Sequence, residues 1–340
     1  MTKDISNIIV SSRVRLARNL EGGITFKTNA RNAFDGLAET IKKRNKNFIS
    51  TRVADLGDDM AKALFEQHLI SKELLANKVN SCIVVKNDNT VCVMLGEEDH
   101  IRIQSIQTGL ALKTAFEEAR KIADDIACEH EIAYRTDFGY LTSCPTNLGC
   151  AMRASVMIFL PALTITGQIK EVIDTITKQL ENRRMNGRIT VRGVYGEGTE
   201  SAGNMYQISN QACLGLSEQE IVQQVEALAI QLAKVELKLQ QEIHKQDPDY
   251  ITDKIMRSWG ILTNAFMLSS AEAVEHLAYL KLGTCLGIIE FKNNRILDDW
   301  FFIVQPATLT VQDDRASSVT ERDKMRAKNV AKMLRDSRIK

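Results

Sequence analysis

Arginines recur at short spacing near the start of the chain, in a pattern suited to binding phosphate. Arg13 and Arg15 alternate with apolar Val14 and Leu16 within residues 8–20. In an extended segment, side chains two apart point to the same side, so both guanidinium groups share one face. A pair of guanidinium groups suits a multivalent anion, and phosphate matches their geometry best. The pattern indicates a phosphate-binding strand; a solvated strand face is the alternative.

Three consecutive acids, Glu97, Glu98 and Asp99, follow a predicted hairpin over residues 81–95. Adjacent carboxylates repel one another unless a cation lies among them. The cluster therefore indicates a metal or a basic substrate, with a solvated acidic turn as the alternative. In the extended segment that follows, Arg102 alternates with isoleucines, so we expect its side chain on the phosphate-binding side.

Two further stretches contain residues that could contact a substrate. Cys144 lies at the mouth of a Pro/Asn/Gly turn, where a thiol near arginines would have a lowered pKa and would hold a cationic substrate as thiolate. Plain apolar filler is the alternative for this cysteine. The glycine-rich stretch 192–200 begins with Arg192 and has Glu197 at its tip. It predicts a lid that touches phosphate and a cation, or else an ordinary hairpin loop.

The spacing of apolar residues predicts the elements that position these groups. Helices are predicted over 29–47 and 58–70 (with His68 on the second), over 108–129 and 163–180, and in a long helix capped by Ser217; strands are predicted over 81–86, 90–95, 189–193 and 205–209. The fold class is α+β, an antiparallel sheet flanked by helices and followed by a small all-α C-terminal domain. The breaker at 247–249 divides the chain into domains 1–246 and 247–340.

Composition excludes several classes. The 44 basic and 43 acidic residues nearly cancel, so no overall field favours nucleic acid or membrane. The N-terminus has no apolar signal segment, and no run approaches the ~20 apolar residues of a spanning helix, so we expect a cytoplasmic protein. Seven scattered cysteines without a Cys-x-x-Cys pair argue against a disulfide framework and a structural zinc site.

The last segment, 313–340, contains a second group of charges. Thr320 is the expected N-cap of a helix on which Arg322 and Arg326 share a face, with Asp323 three residues before Arg326. Such a pattern is typical of a solvated helix with ion pairs. The alternative is a small anion-binding fork.

Five segments in order, within residues 8–210, resemble the ATP:guanidino phosphotransferase (phosphagen kinase) family. They are Ser11-Ser-Arg-Val-Arg15, Glu97-Glu-Asp-His-Ile-Arg102, Cys144-Pro-Thr-Asn-Leu-Gly149, Arg153-Ala-Ser-Val156 and Arg192-Gly-x-x-Gly-Glu197. The match is closest to the bacterial protein-arginine kinases, on the residues Glu66-Gln-His68, Tyr195-Gly-Glu197-Gly-Thr-Glu200, Tyr206-Gln-Ile-Ser-Asn-Gln211 and Arg322-Asp-Lys-Met-Arg326-Ala327. The last of these fits that branch's phosphoarginine-binding motif.

The resemblance implies ATP as phosphoryl donor, with Mg²⁺ held through the ATP phosphates and not by protein ligands. The implied ATP-binding residues are Ser11, Ser12, Arg13, Val14, Arg15, His68, Arg102, Arg153, Ala154, Ser155, Val156, Met157, Arg192, Gly193, Val194, Tyr195 and Gly196. Glu98 and Glu197 would orient and deprotonate the substrate guanidinium, with Cys144 beside them. The implied allosteric phosphoarginine-binding residues are Arg322, Asp323 and Arg326.

The resemblance also implies partners. These are protein substrates with exposed arginines, a stress-gene repressor, an activator protein and the Clp ATPase and protease, for which phosphoarginine marks proteins for degradation. A homodimer is expected. Only ten residues precede Ser11, so we expect the chain to lack the N-terminal helical domain of small-molecule phosphagen kinases, which favours a protein substrate. Two alternatives remain: a small-molecule guanidino kinase of the arginine or creatine type, and a non-catalytic phosphoarginine-binding adaptor.

Overall fold

The computed structural model describes residues 2–22, 31–181, 189–194, 201–293, 295–313, 315–335 and 337–339. Its strands are β1 (Ile9–Arg18), β2 (Phe48–Arg52), β3 (Cys82–Lys86), β4 (Val91–Leu95), β5 (Ile101–Thr108), β6 (Tyr134–Arg135), β7 (Gly139–Tyr140), β8 (Met152–Phe159), β9 (Ile189–Gly193), β10 (Met205–Asn210), β11 (Ile289–Phe291) and β12 (Ser337–Ile339). Its helices are α1 (Thr2–Ile8), α2 (Arg31–Arg44), α3 (Asp58–Glu66), α4 (Lys72–Ala76), α5 (Leu112–Ala127), α6 (Pro161–Ile165), α7 (Ile169–Glu181), α8 (Glu218–Gln246), α9 (Pro248–Asn264), α10 (Ser270–Leu286), α11 (Ile296–Ile303), α12 (Pro306–Gln312) and α13 (Val319–Leu334).

Among the described residues, one antiparallel sheet has eight strands in the order β2-β3-β4-β5-β1-β8-β10-β9. β1 lies near its middle, between β5 and β8. Val14 and Leu16 of β1 are buried in a core that includes residues of α5 and α8. Their neighbours Arg13 and Arg15 therefore project to the opposite face, because side chains alternate along a strand. The predicted antiparallel sheet flanked by helices is confirmed.

The C-terminal part is mainly helical, as predicted, with one addition: β11 pairs with β12 in a short antiparallel ribbon. The long helix α8 begins with the predicted Ser217, in a capping box with Glu220. A second apolar core combines Leu277 and Phe301 of the helical part with Phe159 and Met205 of the sheet. The helical domain therefore packs on the end of the sheet through a shared core. The described helices contain no stretch long and apolar enough to cross a membrane.

Several predicted helices have different boundaries. The helix predicted over 29–47 spans Arg31–Arg44, and β2 follows it where no strand was predicted. The helix predicted over 58–70 ends at Glu66, so His68 lies in the next turn, with a left-handed backbone of φ 59°. In both cases, tertiary packing outweighs the helical spacing of the apolar residues.

Three more boundaries need correction. The helix predicted from residue 108 begins at Leu112, because β5 continues to Thr108 to pair with β1. The single helix predicted over 163–180 is divided into α6 and α7 around Gly167, whose φ is 69°. Ser318, and not Thr320, caps α13, because the Ser318 hydroxyl accepts a hydrogen bond from the Glu321 N–H.

A buried carboxylate joins α6 to α8. Glu236 has no exposed surface and accepts hydrogen bonds from the N–H groups of Ala162 (2.8 Å) and Leu163 (3.0 Å) and from Gln240 Nε2 (2.8 Å). The first N–H groups of a helix lack partners within the helix, so a carboxylate satisfies them. Burial disfavours the charged form and raises the pKa of Glu236 to about 7 against the effect of these hydrogen bonds.

We predict that Glu236→Gln reduces the pH dependence of stability. The folded pKa lies above the roughly 4.3 of an unfolded-state glutamate, so the contribution of Glu236 is full below that pH and is lost as the pH rises through about 7. The free energy of unfolding, measured by urea denaturation, should decrease from about pH 5 to pH 8. This decrease should be larger in the wild type than in the variant, by on the order of 1–3 kcal/mol. Glu242→Gln, at a more exposed position of the same helix, should keep the wild-type slope. Equal slopes for Glu236→Gln and the wild type would contradict the prediction.

Candidate active site

The register of the sheet brings four arginines to one face. Arg15 on β1 lies opposite Arg153 on β8, and Ala17 on β1 lies opposite Arg102 on β5. Directly opposed residues of antiparallel strands project to the same face. Arg13, two residues before Arg15, belongs to this face as well. The prediction that Arg102 joins the arginines of β1 is confirmed.

Arg192 reaches the same face from the sheet edge. It lies opposite Gln207 on β10, and Gln207 in turn lies opposite Met157 on β8. Arg192 is exposed, and its charge contributes to lowering the pKa of Arg153. The stretch that follows it in sequence was predicted to form the lid; Tyr195, Gly196 and Glu197 lie outside the described residues.

These arginines are short of counter-charge. Burial, together with repulsion from Arg102 and Arg153, lowers the pKa of Arg13 from 12.5 to about 10. Burial and neighbouring arginines lower the pKa of Arg15 and of Arg153 as well. Arg13 Nη2 donates to the neutral amide oxygen of Gln207 at 2.6 Å. A polyphosphate would supply the missing negative charge.

Two buried donors in the cluster have no partner. The Nε atoms of Arg15 and Arg153 make no hydrogen bond within the described part of the chain. Arg153 Nη2 donates to the Ser209 hydroxyl at 3.1 Å, which is again a neutral partner. Buried N–H groups without partners cost free energy, so they indicate a ligand that accepts hydrogen bonds. The residues present therefore fit the phosphates of ATP.

Glu97 and Glu98 differ in environment although they are adjacent. The Glu97 side chain is 1% exposed, forms an ion pair with Arg102 and accepts a hydrogen bond from the Glu98 N–H at 2.8 Å. Glu98 is exposed, and its pKa is raised by partial burial and then by the charges of Asp99 and Glu97. Gly96 permits the tight turn before them, since its φ is 81°. Glu97 therefore orients an arginine of the site, whereas Glu98 is available to a substrate.

Asp99 holds the acidic turn against the cysteine loop. Asp99 Oδ1 accepts hydrogen bonds from Asn19 Nδ2 and from the Ser143 N–H, both at 2.8 Å. The Ser143 hydroxyl donates to the backbone oxygen of Glu98 at 2.9 Å. Cys144 follows directly and is thereby fixed near Glu98. The sequence did not reveal the roles of Asn19 and Ser143, because nothing in their local pattern distinguishes them.

One cavity of about 120 Å³ brings the predicted groups together. The chemically relevant residues lining it are Arg15, Glu98, Arg102, Cys144 and Arg153. Guanidinium groups, an exposed carboxylate and a thiol from separate segments thus face a single space. No group of three or more metal-ligating side chains occurs in the described segments.

The other predicted ATP-binding residues divide into two sets. Ser11, Arg13, His68, Ser155 and Met157 line a second, small cavity of about 40 Å³. Burial, then repulsion from Arg13 and Arg15, lowers the pKa of His68 to about 4, so its imidazole is neutral at pH 7. A neutral ring in this position suits contact with a nucleotide base.

The second set faces away from this cavity or is bonded within the protein. Val14, Ala154 and Val156 belong to the apolar core on the opposite face of the sheet. The Ser12 hydroxyl donates to Gly109 O at 2.7 Å and accepts from Ala111 N at 2.9 Å. Gly193 ends β9, and Val194 is buried in the second core. A role in ATP binding for these residues stays a prediction that rests on their backbone groups.

The predicted phosphoarginine-binding residues lie on α13. Arg326 is 1% exposed; its guanidinium donates to Val304 O (2.7 Å), Leu268 O (2.5 Å) and Asp323 Oδ1 (2.5 Å). Burial lowers the pKa of Arg326, and Asp323 opposes this effect. Arg322, which is only half-buried, donates to backbone oxygens. Arg326 thus joins three segments of the helical domain, and Arg322 is the more accessible of the two.

Two family models together match most of the chain. The model of the ATP:guanido phosphotransferase C-terminal catalytic domain matches residues 27–239, and that of the protein-arginine kinase McsB C-terminal domain matches residues 248–339. The chain is 38% identical to the protein-arginine kinase of Caldanaerobacter subterraneus subsp. tengcongensis, over 96% of this chain and 97% of the relative. It is also 38% identical to the Bacillus subtilis protein-arginine kinase, over 97% of this chain and 90% of the relative.

Solved structures show the same fold. Lombricine kinase superimposes with a TM-score of 0.57 at 24% identity, over 70% of this chain and 68% of that chain. The duplicated taurocyamine kinase from Schistosoma mansoni, bound to transition-state analogue components, also gives 0.57 at 24% identity, over 74% of this chain and 37% of that chain.

The chain therefore belongs to the ATP:guanido phosphotransferase family of enzymes. Within this family it groups with the protein-arginine kinases, because the similarity to them extends through the C-terminal helical domain.

We predict that Arg15→Met stabilises the protein without ligand and weakens polyphosphate binding. The substitution removes a buried charge repelled by its neighbours, so the melting temperature should rise by about 2–4 °C. Tripolyphosphate should then raise the melting temperature less in the variant than in the wild type, as measured by differential scanning calorimetry. Arg120→Met, at an exposed position on α5, should leave the effect of tripolyphosphate unchanged. A destabilised Arg15→Met variant with the full wild-type response would contradict this account.

Proposed function

We propose that this enzyme transfers the γ-phosphoryl group of ATP to arginine side chains of proteins. The observation that supports the proposal best is the single cavity in which Arg15, Arg102 and Arg153 lie beside Glu98. It combines a polyphosphate site with a carboxylate able to bind a guanidinium group. The similarity to protein-arginine kinases along nearly the whole chain supports the choice of substrate.

A protonated guanidinium, with a pKa above about 12, is a poor nucleophile. In the proposed reaction, one of its nitrogens forms a bond to the γ-phosphorus while the bond from that phosphorus to the ADP oxygen breaks. The nitrogen gives up a proton, which the Glu98 carboxylate accepts. The raised pKa of Glu98 favours this proton transfer. We assign Glu197 to hold the guanidinium from the opposite side, and Cys144 to contact it.

The arginines stabilise the charge that builds up during transfer. Arg15 and Arg153 offer unpartnered N–H groups, and Arg102 is aimed by its ion pair with Glu97. Preorganised donors of this kind lower the barrier of phosphoryl transfer, in which positioning and electrostatics dominate. Mg²⁺ bound to the ATP phosphates would add neutralising charge.

The wider role follows from the same resemblance. We propose that phosphoarginine made by this enzyme marks proteins for a Clp ATPase and protease, and that the enzyme regulates the stress response with a stress-gene repressor as partner. An activator protein is expected to regulate the enzyme, and Arg322, Asp323 and Arg326 are assigned to an allosteric phosphoarginine site. We expect a cytoplasmic homodimer that binds neither membrane nor nucleic acid.

The reaction is tested with Glu98→Gln, which keeps the side-chain volume but removes the proton acceptor. Phosphoarginine formed from ATP and Mg²⁺ on an unstructured protein should fall by at least about 100-fold, measured by mass spectrometry under conditions that preserve the acid-labile bond. Glu117→Gln, exposed on α5, should keep wild-type activity.

The same assay separates the alternatives. Labelling of free arginine or creatine but not of protein would make the enzyme a small-molecule guanidino kinase. Binding of phosphoarginine without any labelling would make the protein an adaptor.

The two arginines of α13 should respond differently to replacement. Arg326→Ala removes three hydrogen bonds from buried positions, and should cost about 2–4 kcal/mol of unfolding free energy and weaken phosphoarginine binding with it. Arg322→Ala should weaken binding of a phosphoarginine peptide while changing stability by less than about 0.5 kcal/mol. Urea denaturation and calorimetric titration measure the two effects. Wild-type peptide binding by Arg322→Ala would remove Arg322 from the assigned site.

A further inference from the structure

Phe302, on α11 of the helical domain, lies at the cavity beside His68. The two rings are 5.5 Å apart between centroids and nearly perpendicular, at 88°. Phe302 lines the small cavity together with the predicted nucleotide residues Ser155 and Met157. An aromatic side chain from the helical domain therefore enters a site that otherwise consists of sheet and loop residues.

The small cavity shares part of its lining with a larger cavity at the domain boundary. The second cavity has a volume of about 560 Å³ and lies between the sheet and the helices α11 and α12. Four residues line both cavities: Ser11, Gln67, Ile106 and Phe302. At about 40 Å³, the first cavity is far below the roughly 300 Å³ typical of ligand pockets. The larger cavity lies within the range of ligand pockets, and Phe302 lines both.

Hydrogen bonds hold the helical domain against the segment that carries His68. Glu66, the last residue of α3, accepts from the N–H groups of Ala307 (2.9 Å) and Thr308 (2.8 Å), and from the Thr308 hydroxyl (3.0 Å). These donors belong to the first turn of α12, whose N–H groups lack partners within the helix. His68 follows Glu66 by two residues, so the contact fixes its distance from the helical domain.

The end of α11 is fixed as well. Arg326 Nε donates to the oxygen of Val304, which is the C-cap of α11. On the preceding turn, Phe301 is buried in the core shared with the sheet. The backbone at Phe302 is thus held on both sides, which fixes the position of its ring at the cavity.

We propose that Phe302 is a residue of the nucleotide site, and that its ring packs against the adenine of ATP. The inference rests on the proposed use of ATP and adds a base contact supplied by the helical domain. An aromatic ring in contact with a base gives a favourable apolar interaction, because every base has a flat aromatic face. ATP bound in this way contacts both domains, so nucleotide affinity depends on the docking of the helical domain.

The test compares two ligands that share phosphates but differ in the base. In the full-length protein, Phe302→Ala should weaken ATP binding about tenfold, as expected for the loss of one base contact. Tripolyphosphate, which has no base, should bind within about twofold of the wild type. Calorimetric titration gives both dissociation constants, and the KM for ATP should rise while kcat stays near its wild-type value.

Two variants control for changes in folding. Phe266→Ala makes the same substitution at a position of the helical domain that is 76% exposed, and should bind both ligands as the wild type does. Phe302→Leu keeps an apolar side chain in place, and should bind ATP more tightly than Phe302→Ala with the same melting temperature as the wild type.

The outcomes separate this inference from the proposed function. Wild-type ATP affinity in Phe302→Ala, or an equal loss of ATP and tripolyphosphate binding, rejects the base contact and leaves the kinase assignment intact. The base contact is also rejected if the wild-type protein binds ATP no more tightly than tripolyphosphate. Failure of the wild type to bind ATP at all rejects the proposed function, and the inference with it.

Discussion

The burial of several guanidinium groups on one face of a sheet is the constraint on which the rest of the structure depends. Arg13, Arg15, Arg102 and Arg153 repel one another, and burial lowers the pKa of three of them. Such an arrangement is costly unless the scaffold is rigid and an anion is bound. The scaffold is rigid because the opposite face of the same strands belongs to the main apolar core. Apolar packing on one face of the strands thus offsets the free-energy cost of burying arginines on the other face.

In the proposed reaction, a site rich in arginine has to distinguish its own guanidinium groups from that of a substrate. The acidic turn places adjacent carboxylates in different environments, which supports this proposal. Glu97 is buried and bound to Arg102, whereas Glu98 is exposed beside the cavity. Asp99 uses its charge to hold the loop that carries Cys144. Three neighbouring acids therefore have three environments: Glu97 is paired with an arginine, Glu98 is exposed at the cavity, and Asp99 is bonded to a loop.

The helical domain is connected to the site in two ways. Its core merges with the end of the sheet, and the Glu66 carboxylate binds the first turn of α12. Arg326, buried in the motif assigned to phosphoarginine, bonds to the end of the helix that carries Phe302. One short helix, α11, thus connects α13 to the cavity lined by His68 and Phe302. The allosteric role proposed for the α13 motif would act through contacts of this kind.

The sequence by itself determined the fold class and the family, and it predicted which side chains would form the site. Alternation along residues 8–20 and 101–103 was enough to assign the arginines to one face, because the period of a strand is local. The tertiary structure decided which groups meet. The placement of His68 outside its predicted helix, the roles of Asn19 and Ser143 and the buried state of Arg326 all depend on partners distant in sequence. The position of Phe302 beside His68 could not be predicted, because this contact joins two domains and no pattern within either segment encodes it.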